Sequence, residues 1–337
     1  MLVQKTDNPL KSRLEMAARL SVAPMMDWTD RHCRYFHRLM SREVLLYTEM
    51  VTSPALVRGG ALHLLEYHDA EHPVALQLGG SDPQELAAAT RLCVERGYDE
   101  VNLNVGCPSD RVQSGTFGAV LMRDAALVAD CVSAMKEASQ DIEITVKCRI
   151  GVDDQIPEEV LPDFLEKISA TGVNRISIHA RKAWLQGLSP KENRDIPPLD
   201  YPLVYRMKQE FPDLHLSING GIATLAEAVE HLEHMDGVMI GRAAYHNPGD
   251  ILLTADRDIY GATSDPKTGH QVVEEMYSYI EQHIAQGGRL NAITRHMLGL
   301  FAGRPGARLW RRTLSEEGHK PGAGIDVVEK ALSYVPE

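Results

Sequence analysis

No stretch of this 337-residue chain could cross a bilayer as a helix, since a span needs roughly 18 or more apolar residues in a row and none occurs. The first 19 residues carry Lys5, Lys11, Arg13 and Arg19 among alternating polar and apolar positions. They lack the apolar core, about 7–15 residues long, that a secretory signal needs. Cysteine is scarce as well: Cys33, Cys93, Cys107, Cys131 and Cys148 are an odd number without a C-x-x-C pair. That argues against a zinc site, or any metal site built on cysteines, and against a disulfide framework. A reducing compartment, the cytoplasm, is the expected location. The Gly-x-Gly-x-x-Gly turn that would mark a dinucleotide-binding open sheet is missing after the first apolar run. Positive charge is also in deficit, with 35 Lys and Arg against 47 Asp and Glu, a net charge of −12. A nucleic-acid partner needs basic contacts, so the overall balance disfavours one.

The distribution of charge is less one-sided than its sum. Between Gly288 and Lys320 stand Arg289, Arg295, Arg304, Arg308, Arg311, Arg312 and Lys320, opposed only by Glu316 and Glu317. That segment carries +5 and leaves −17 on the rest. It reads either as a local basic patch or as a solvated helical face.

Eight short apolar runs recur along the chain: Leu20–Met25, Val44–Tyr47, Pro73–Leu78, Glu100–Val105, Ile142–Cys148, Arg175–His179, His215–Asn219 and Gly237–Ile240. Most are rich in Val, Ile and Leu, as expected of strands buried on both faces of a parallel sheet. Amphipathic stretches alternate with them, at Pro83–Arg96, Asp124–Ala138, Pro157–Thr171, Pro202–Phe211 and Leu225–Glu233. Start signals precede several helices, and Gly97 and Gly172 follow two of them at cap positions. The pattern predicts an α/β protein with a (β/α)8 TIM barrel over residues 20–262, behind an N-terminal extension of residues 1–19. A doubly wound open sheet is the rival. Beyond the Gly- and Pro-containing stretch Ala262–Gly269 the strand runs cease. Gln271–Gln286, Leu290–Phe301, Ala307–Glu316 and Asp326–Tyr334 read as helices, so residues 263–337 form a C-terminal all-helical domain.

Barrel active sites lie at the C-terminal ends of the strands. There the sequence places Pro24-Met25-Met26, Gln77, Asn104 with Cys107, Lys147, His179, Asn219-Gly220-Gly221 and Gly241-Arg242. The last two groups follow strands seven and eight, the usual barrel phosphate site. Glycine lets backbone approach a ligand, and Arg242 adds a charge. Lys147, Gln77 and His179 suit a heteroaromatic ring with carbonyls and ring nitrogens, so phosphate, cation and amide together suggest a flavin mononucleotide pocket. A Schiff-base role for Lys147 is the competing chemistry. Cys107 lies beyond a strand end in a Gly-Cys-Pro turn; a thiol, with a usual pKa of about 8.5, is mostly protonated at neutral pH and can act as an acid. The other four cysteines read as small buried residues.

The segment Asn102-Leu103-Asn104-Val105-Gly106-Cys107-Pro108, followed by Gly118-Ala119 and Leu121-Met122, resembles the signature of the tRNA-dihydrouridine synthases. Ala23 to Asp30, Gln77 to Gly80, Lys147, His179-Ala180-Arg181, Asn219 to Gly221 and Gly241-Arg242 follow in that family's order. Ser189 to Arg194 and Arg304 to Arg312 look like its DusA branch. Ser114, Thr116 and Val120 depart from the pattern. The resemblance implies FMN held by Pro24, Met25, Met26, Gln77, Lys147, His179, Asn219, Gly220, Gly221, Gly241 and Arg242, with NADPH as reductant. It implies Cys107 as proton donor in reducing the uracil double bond of uridines at D-loop positions 20 and 20a, with Asn104 placing the uracil. It further implies that Lys191, Arg194, Arg308 and Arg311 orient tRNA, which gives the basic tail a use. A monomer, with no membrane and no metal, is expected. Rival readings are a reductase of free pyrimidines, a lysine-dependent aldolase, and a tRNA-binding folding aid with little turnover.

Overall fold

A computed structural model describes residues 9–108 and 117–337; Ser114 and Thr116 lie outside them. Eight parallel strands close into a barrel in chain order. They are β1 (Leu20–Val22), β2 (Leu45–Thr52), β3 (Val74–Gly79), β4 (Glu100–Val105), β5 (Glu143–Arg149), β6 (Arg175–His179), β7 (His215–Asn219) and β8 (Gly237–Ile240). Closure is made by β1 against β8, with Leu20, Ser21 and Val22 opposite Val238, Met239 and Ile240. The open-sheet alternative is thereby excluded.

β3 and β5 are shifted by one residue from the expected bounds, and two strands differ by more. β1 stops at Val22, short of Met25, because Pro24 has no N–H to continue the ladder. β2 runs on to Thr52 through a register shift between Tyr47 and Met50. Thr48 sits in that shift, and its hydroxyl accepts the Gln77 N–H at 3.1 Å. An apolar pattern cannot follow a strand through Thr48 and Glu49.

The helices are α1 (Pro9–Ala17), α2 (Arg31–Met40), α3 (Ser53–Val57), α4 (Pro83–Arg96), α5 (Ala125–Ala138), α6 (Pro157–Ala170), α7 (Tyr201–Glu210), α8 (Leu225–Leu232), α9 (Arg242–His246), α10 (Pro248–Leu252), α11 (Ala255–Asp258), α12 (Gly269–Ala285), α13 (Leu290–Met297), α14 (Ala307–Glu317) and α15 (Ile325–Leu332). Their starts follow from side-chain caps. Asp82 accepts from Glu85 N at 2.8 Å and Asp124 from Leu127 N at 3.0 Å. Thr224 with Glu227, and Thr268 with Gln271, form reciprocal capping boxes. α4 ends on Gly97 at φ 81°, a left-handed conformation that favours glycine.

Side chains alternate across the strands. Val101, Leu103 and Val105 of β4 join the main apolar core, as do Ile144, Val146 and Cys148 of β5 and Ile176 and Ile178 of β6. Their neighbours Glu100, Asn102, Asn104, Thr145, Lys147, Arg149, Arg175, Ser177 and His179 point into the barrel. The barrel interior is therefore polar on this side. A separate small apolar cluster of Leu14, Ala17, Ala18, Leu45, Tyr47, Ala75 and Met239 fills the other end, and Ala23, just after β1, joins it. α1 supplies Leu14 and Ala17 and the next residue is Ala18, so residues 14–18 plug the barrel floor. Tyr260 holds the corner: its hydroxyl lies 2.9 Å from the Ala17 carbonyl and accepts Leu20 N–H at 3.2 Å.

Helices α12 to α15 surround Trp310, Phe301, Met297, Leu314 and Val328. Trp310 Nε1 donates to the Met297 carbonyl at 3.1 Å. These helices dock on the loops that follow β1 and β8. Asp30, the cap of α2, accepts from Arg295 at 2.5 Å and contacts His296 at 3.0 Å. Trp28 stacks on Tyr245 at 4.5 Å, and Tyr245 reaches His296 at 3.2 Å. Both loops lie at the C-terminal ends of the strands, so the helical tail flanks the barrel mouth.

Candidate active site

The mouth is built around β4 and its turn. Asn104, near the end of β4, accepts N–H bonds from Gly106 at 3.0 Å and Cys107 at 2.9 Å through Oδ1. This Asx-type turn projects Cys107 beyond the strand. The Cys107 carbonyl then accepts Ala119 N–H at 2.9 Å, which ties the turn to the buried Leu121-Met122 segment. Cys107 is half-buried, whereas the other four cysteines are buried, and none is in a disulfide.

Lys147 stands opposite Asn104 in the β4–β5 register. Its Nζ has no hydrogen-bond partner among the described residues. Burial, and then the charge of Arg149, push its pKa down to about 8, opposed by smaller effects of Cys148 and Cys107. His179 ends β6. Burial, and then Arg149, Lys147, Arg181 and Arg194, hold its imidazole well below the usual range, so it stays neutral. One ring nitrogen then donates while the other accepts. Gln77 is buried; its Nε2 donates to Asn102 at 2.8 Å and its Oε1 accepts from Asn104 at 2.7 Å.

The glycines after β7 answer a steric demand. Gly220 lies at φ +112° and Gly221 at φ +78°; a Cβ on the first would come within 2.5 Å of His179 Cδ2, and on the second within 2.5 Å of Leu199 Cδ1. Asn219 uses its amide to bridge β7 and β8, donating to Met239 O at 2.7 Å. A Cβ on Gly241 would meet Ala23 Cβ at 3.6 Å and Met25 Sδ at 3.7 Å, without a clash. Arg242 pairs with Asp195 at 2.7 Å. Met25 is braced by Thr29, whose Oγ1 accepts its N–H at 3.0 Å, and Met26 is exposed; Pro24 links the two to β1.

Not every residue singled out in the sequence converges here. Lys191 and Arg194 flank the mouth on an exposed 3-10 turn, and Arg194 senses Arg242, Cys107 and Asp195 electrostatically. Arg308 and Arg311 lie apart from these, on the exposed face of α14, without an acidic partner among the described residues.

The sequence reading passed over Arg149 and gave Asn193, inside the Ser189 to Arg194 motif, no role. Arg149, buried at the end of β5, donates to the carbonyls of Gly106 at 3.1 Å, Lys182 at 3.1 Å and Asn193 at 2.9 Å. It thereby joins the Cys107 turn to the loop after β6. Asn193, also buried, accepts from Trp184 N at 2.7 Å and donates to Trp184 O at 2.8 Å, which sets that loop. A signal existed for Arg149, which sits one strand period beyond Lys147.

The arrangement offers a thiol, a cation with no hydrogen bond among the described residues, a neutral imidazole and a carboxamide, rimmed by glycine turns and arginines. Among the described residues, no group of three or more His, Cys, Asp or Glu could hold a metal ion. No helix of the described residues is long and apolar enough to cross a membrane.

Among solved structures, morphinone reductase aligns with a TM-score of 0.50 and 14% identity over 74% of this chain and 88% of its own. An old yellow enzyme homologue from Zymomonas mobilis aligns with a TM-score of 0.51 and 13% identity, covering 75% and 92%. These likenesses define the class by fold, a (β/α)8 barrel. The family description "Dihydrouridine synthase (Dus)" matches residues 21–335. A tRNA-dihydrouridine(20/20a) synthase of Vibrio vulnificus (strain CMCP6) is 60% identical over 322 residues, 95% of this chain and 98% of that one. Its counterpart from Escherichia coli (strain K12) is 59% identical over 335 residues, 99% and 96% of the two chains. The chain belongs to the dihydrouridine synthase family.

Proposed function

We propose that this protein is a flavin-dependent oxidoreductase that reduces uridines at positions 20 and 20a of the tRNA D-loop to 5,6-dihydrouridine, with FMN as cofactor and NADPH as reductant. The observation that carries this reading is the placement of Cys107, half-buried on a turn held by Asn104, in the same mouth as Lys147, Gln77 and His179.

The residues present fit FMN. Lys147 offers an ammonium with no hydrogen bond among the described residues, suited to an anionic or carbonyl-rich ring. Gly220 and Gly221 leave backbone open where a Cβ would collide with His179 and Leu199. Arg181, Arg194 and Arg242 make the rim cationic, as a phosphate requires. Pro24, Met25, Met26, Gln77, Asn219 and Gly241 complete the set that would hold it. When bound, the flavin supplies the hydride, drawn from NADPH.

The chain's own work is placement and proton delivery. A uridine must leave its stack to reach a barrel mouth. Asn104 keeps an amide hydrogen beyond its bond to Gln77 and offers it to a uracil carbonyl. Cys107 gives its proton to the carbon next to the one that accepts hydride, and its exposure lets solvent restore that proton. Lys191, Arg194, Arg308 and Arg311 would hold the tRNA backbone. In this division of labour residues 20–262 are catalytic and residues 263–337 bind RNA. The work takes place in the cytoplasm, where tRNA and reduced cysteines coexist.

The test incubates the protein with FMN, NADPH and unmodified tRNA and maps dihydrouridine by position. Product at 20 and 20a is expected. Product elsewhere in the D-loop would discard the position, and a yellow protein without product would discard tRNA as substrate. Cys107→Ala should bind FMN and oxidise NADPH but form product about 100-fold more slowly or worse. Turnover at the wild-type rate would remove Cys107 from the proton-donor role.

A further inference from the structure

Below the mouth, three fully buried polar residues link the barrel interior to the catalytic turn. Glu100 of β4 accepts from Tyr47 OH at 2.7 Å and from Arg175 at 2.5 Å. Thr145 of β5 also donates to Glu100. Asn102 donates from Nδ2 to Thr145 Oγ1 at 2.8 Å and accepts from Gln77 at 2.8 Å. Gln77 in turn accepts from Asn104, whose Oδ1 takes the Gly106 and Cys107 N–H groups.

Both ends of this chain dictate its direction. A carboxylate only accepts, so Thr145 must give Glu100 its one hydroxyl proton. The Thr145 oxygen is then available to accept, which turns the Asn102 amide nitrogen toward it and its oxygen toward Gln77. From the other end, the Gly106 and Cys107 N–H groups only donate. They turn the Asn104 oxygen toward themselves and its nitrogen toward Gln77. The two ends impose the same orientation on the Gln77 carboxamide. Reversing any one amide would set two donors or two acceptors face to face in a dry interior, at about 1–3 kcal/mol for each group left unpaired.

We infer that Glu100, Thr145 and Asn102 are positioning residues: a one-directional hydrogen-bond relay, anchored by Arg175 and Tyr47, fixes the amide orientation of Gln77 and Asn104 and, through Asn104, the set of the Cys107 turn. The relay touches no reacting atom. It decides which amide hydrogens of Gln77 and Asn104 remain for the mouth, and it stiffens the backbone that carries the thiol. The register places its members on adjacent strands, with Gln77 opposite Asn102 and Asn102 opposite Thr145. No local loop movement could therefore replace one member by another. For its kinetic consequence the inference rests on the proposed uridine reduction; for the turn itself it does not.

The test compares Thr145→Val, which keeps shape but removes both hydrogen bonds, with Thr145→Ser, which keeps the hydroxyl. The first readout is the alkylation rate of Cys107 by iodoacetamide in cofactor-free protein across pH 6 to 9, read by peptide mass spectrometry. The second is kcat against KM for tRNA at saturating FMN. Thr145→Val should change the alkylation rate about threefold or more and lower kcat about tenfold with KM little moved, while Thr145→Ser stays near wild type. If Thr145→Val does not fold, Asn102→Ala carries the same comparison. A Thr145→Val protein that loses only melting temperature, with wild-type alkylation and kcat, would overturn the relay. So would a Thr145→Ser protein as damaged as the valine variant. Should wild type itself make no dihydrouridine, the proposed function fails, and the alkylation readout still decides the relay.

Discussion

At the scale of single residues, Lys147 shows what burial and a neighbouring cation do to an ammonium. Its side chain is half-buried beside Arg149, and lost hydration, then the Arg149 charge, bring the pKa from 10.5 to about 8. The sign of the consequence follows from counting protons. Below pH 8 the folded and unfolded chains both hold the proton, and the folded chain bears the full penalty of a buried charge. Between pH 8 and 10.5 the unfolded chain binds a proton that the folded chain has lost, so stability from this group rises with pH across that window. An anion in the mouth favours the charged form and offsets the penalty. FMN affinity should therefore fall as pH rises past 8, and Lys147→Met should bind FMN more weakly with a flatter pH profile. Quenching of FMN fluorescence, titrated from pH 6 to 9.5 for both proteins, measures this. Parallel profiles would show that Lys147 does not face the bound flavin.

Elements explain what the sequence revealed and what it concealed. The barrel was legible because the outward faces of β4 to β7 are runs of Val, Ile and Leu at alternate positions, separated by capped helices. The inward faces carry Glu100, Asn102, Thr145 and Arg175, and in sequence these read as interruptions. Their meaning depends on which strands are neighbours, and only closure of the barrel supplies that. The positions of Cys107, Lys147 and His179 were legible because each lies at, or within two residues of, the C-terminal end of a strand. Arg149 was not, because it acts on the backbone carbonyls of Gly106, Lys182 and Asn193, all far away in sequence; Asn193 was not, because the backbone groups of Trp184, Leu188 and Ser189 that it bonds come together only in the folded loop. α2 illustrates the same limit. Its Arg34 pairs with Glu71 at 2.6 Å, with both side chains buried, and also donates to Thr29 O at 2.8 Å. The pair fastens α2, and with it the Asp30 cap, to the segment before β3. Breaking it from one side leaves a buried charge without its partner. Glu71→Ala should destabilise the fold by about 3–5 kcal/mol, whereas Arg34→Met with Glu71→Leu should recover most of that loss. Urea unfolding of the three proteins checks this, and a single variant no worse than the double would show that the pair does not stabilise α2.

For the whole molecule the open question is how a chain with net charge −12 holds a polyanion. The fold answers by segregation. Arg295 and His296 are taken up by Asp30 in docking the tail, and Arg312 is paired with Glu316 at 3.0 Å on the surface. Arg308 and Arg311 remain exposed on α14 without an acidic partner among the described residues, on a tail held beside the mouth by Asp30, Tyr245 and His296. If these two arginines contact RNA phosphates, each displaces counterions on binding. Arg308→Ala and Arg311→Ala should then weaken tRNA binding and reduce the slope of log affinity against log salt by about one each. Affinity measured from 50 to 300 mM salt separates this from an indirect effect. A variant that binds more weakly at every salt concentration, with the slope intact, has lost shape rather than a phosphate contact. In that case the RNA would rest on Lys191 and Arg194 at the mouth, and the tail would serve to hold the β1 and β8 loops in place.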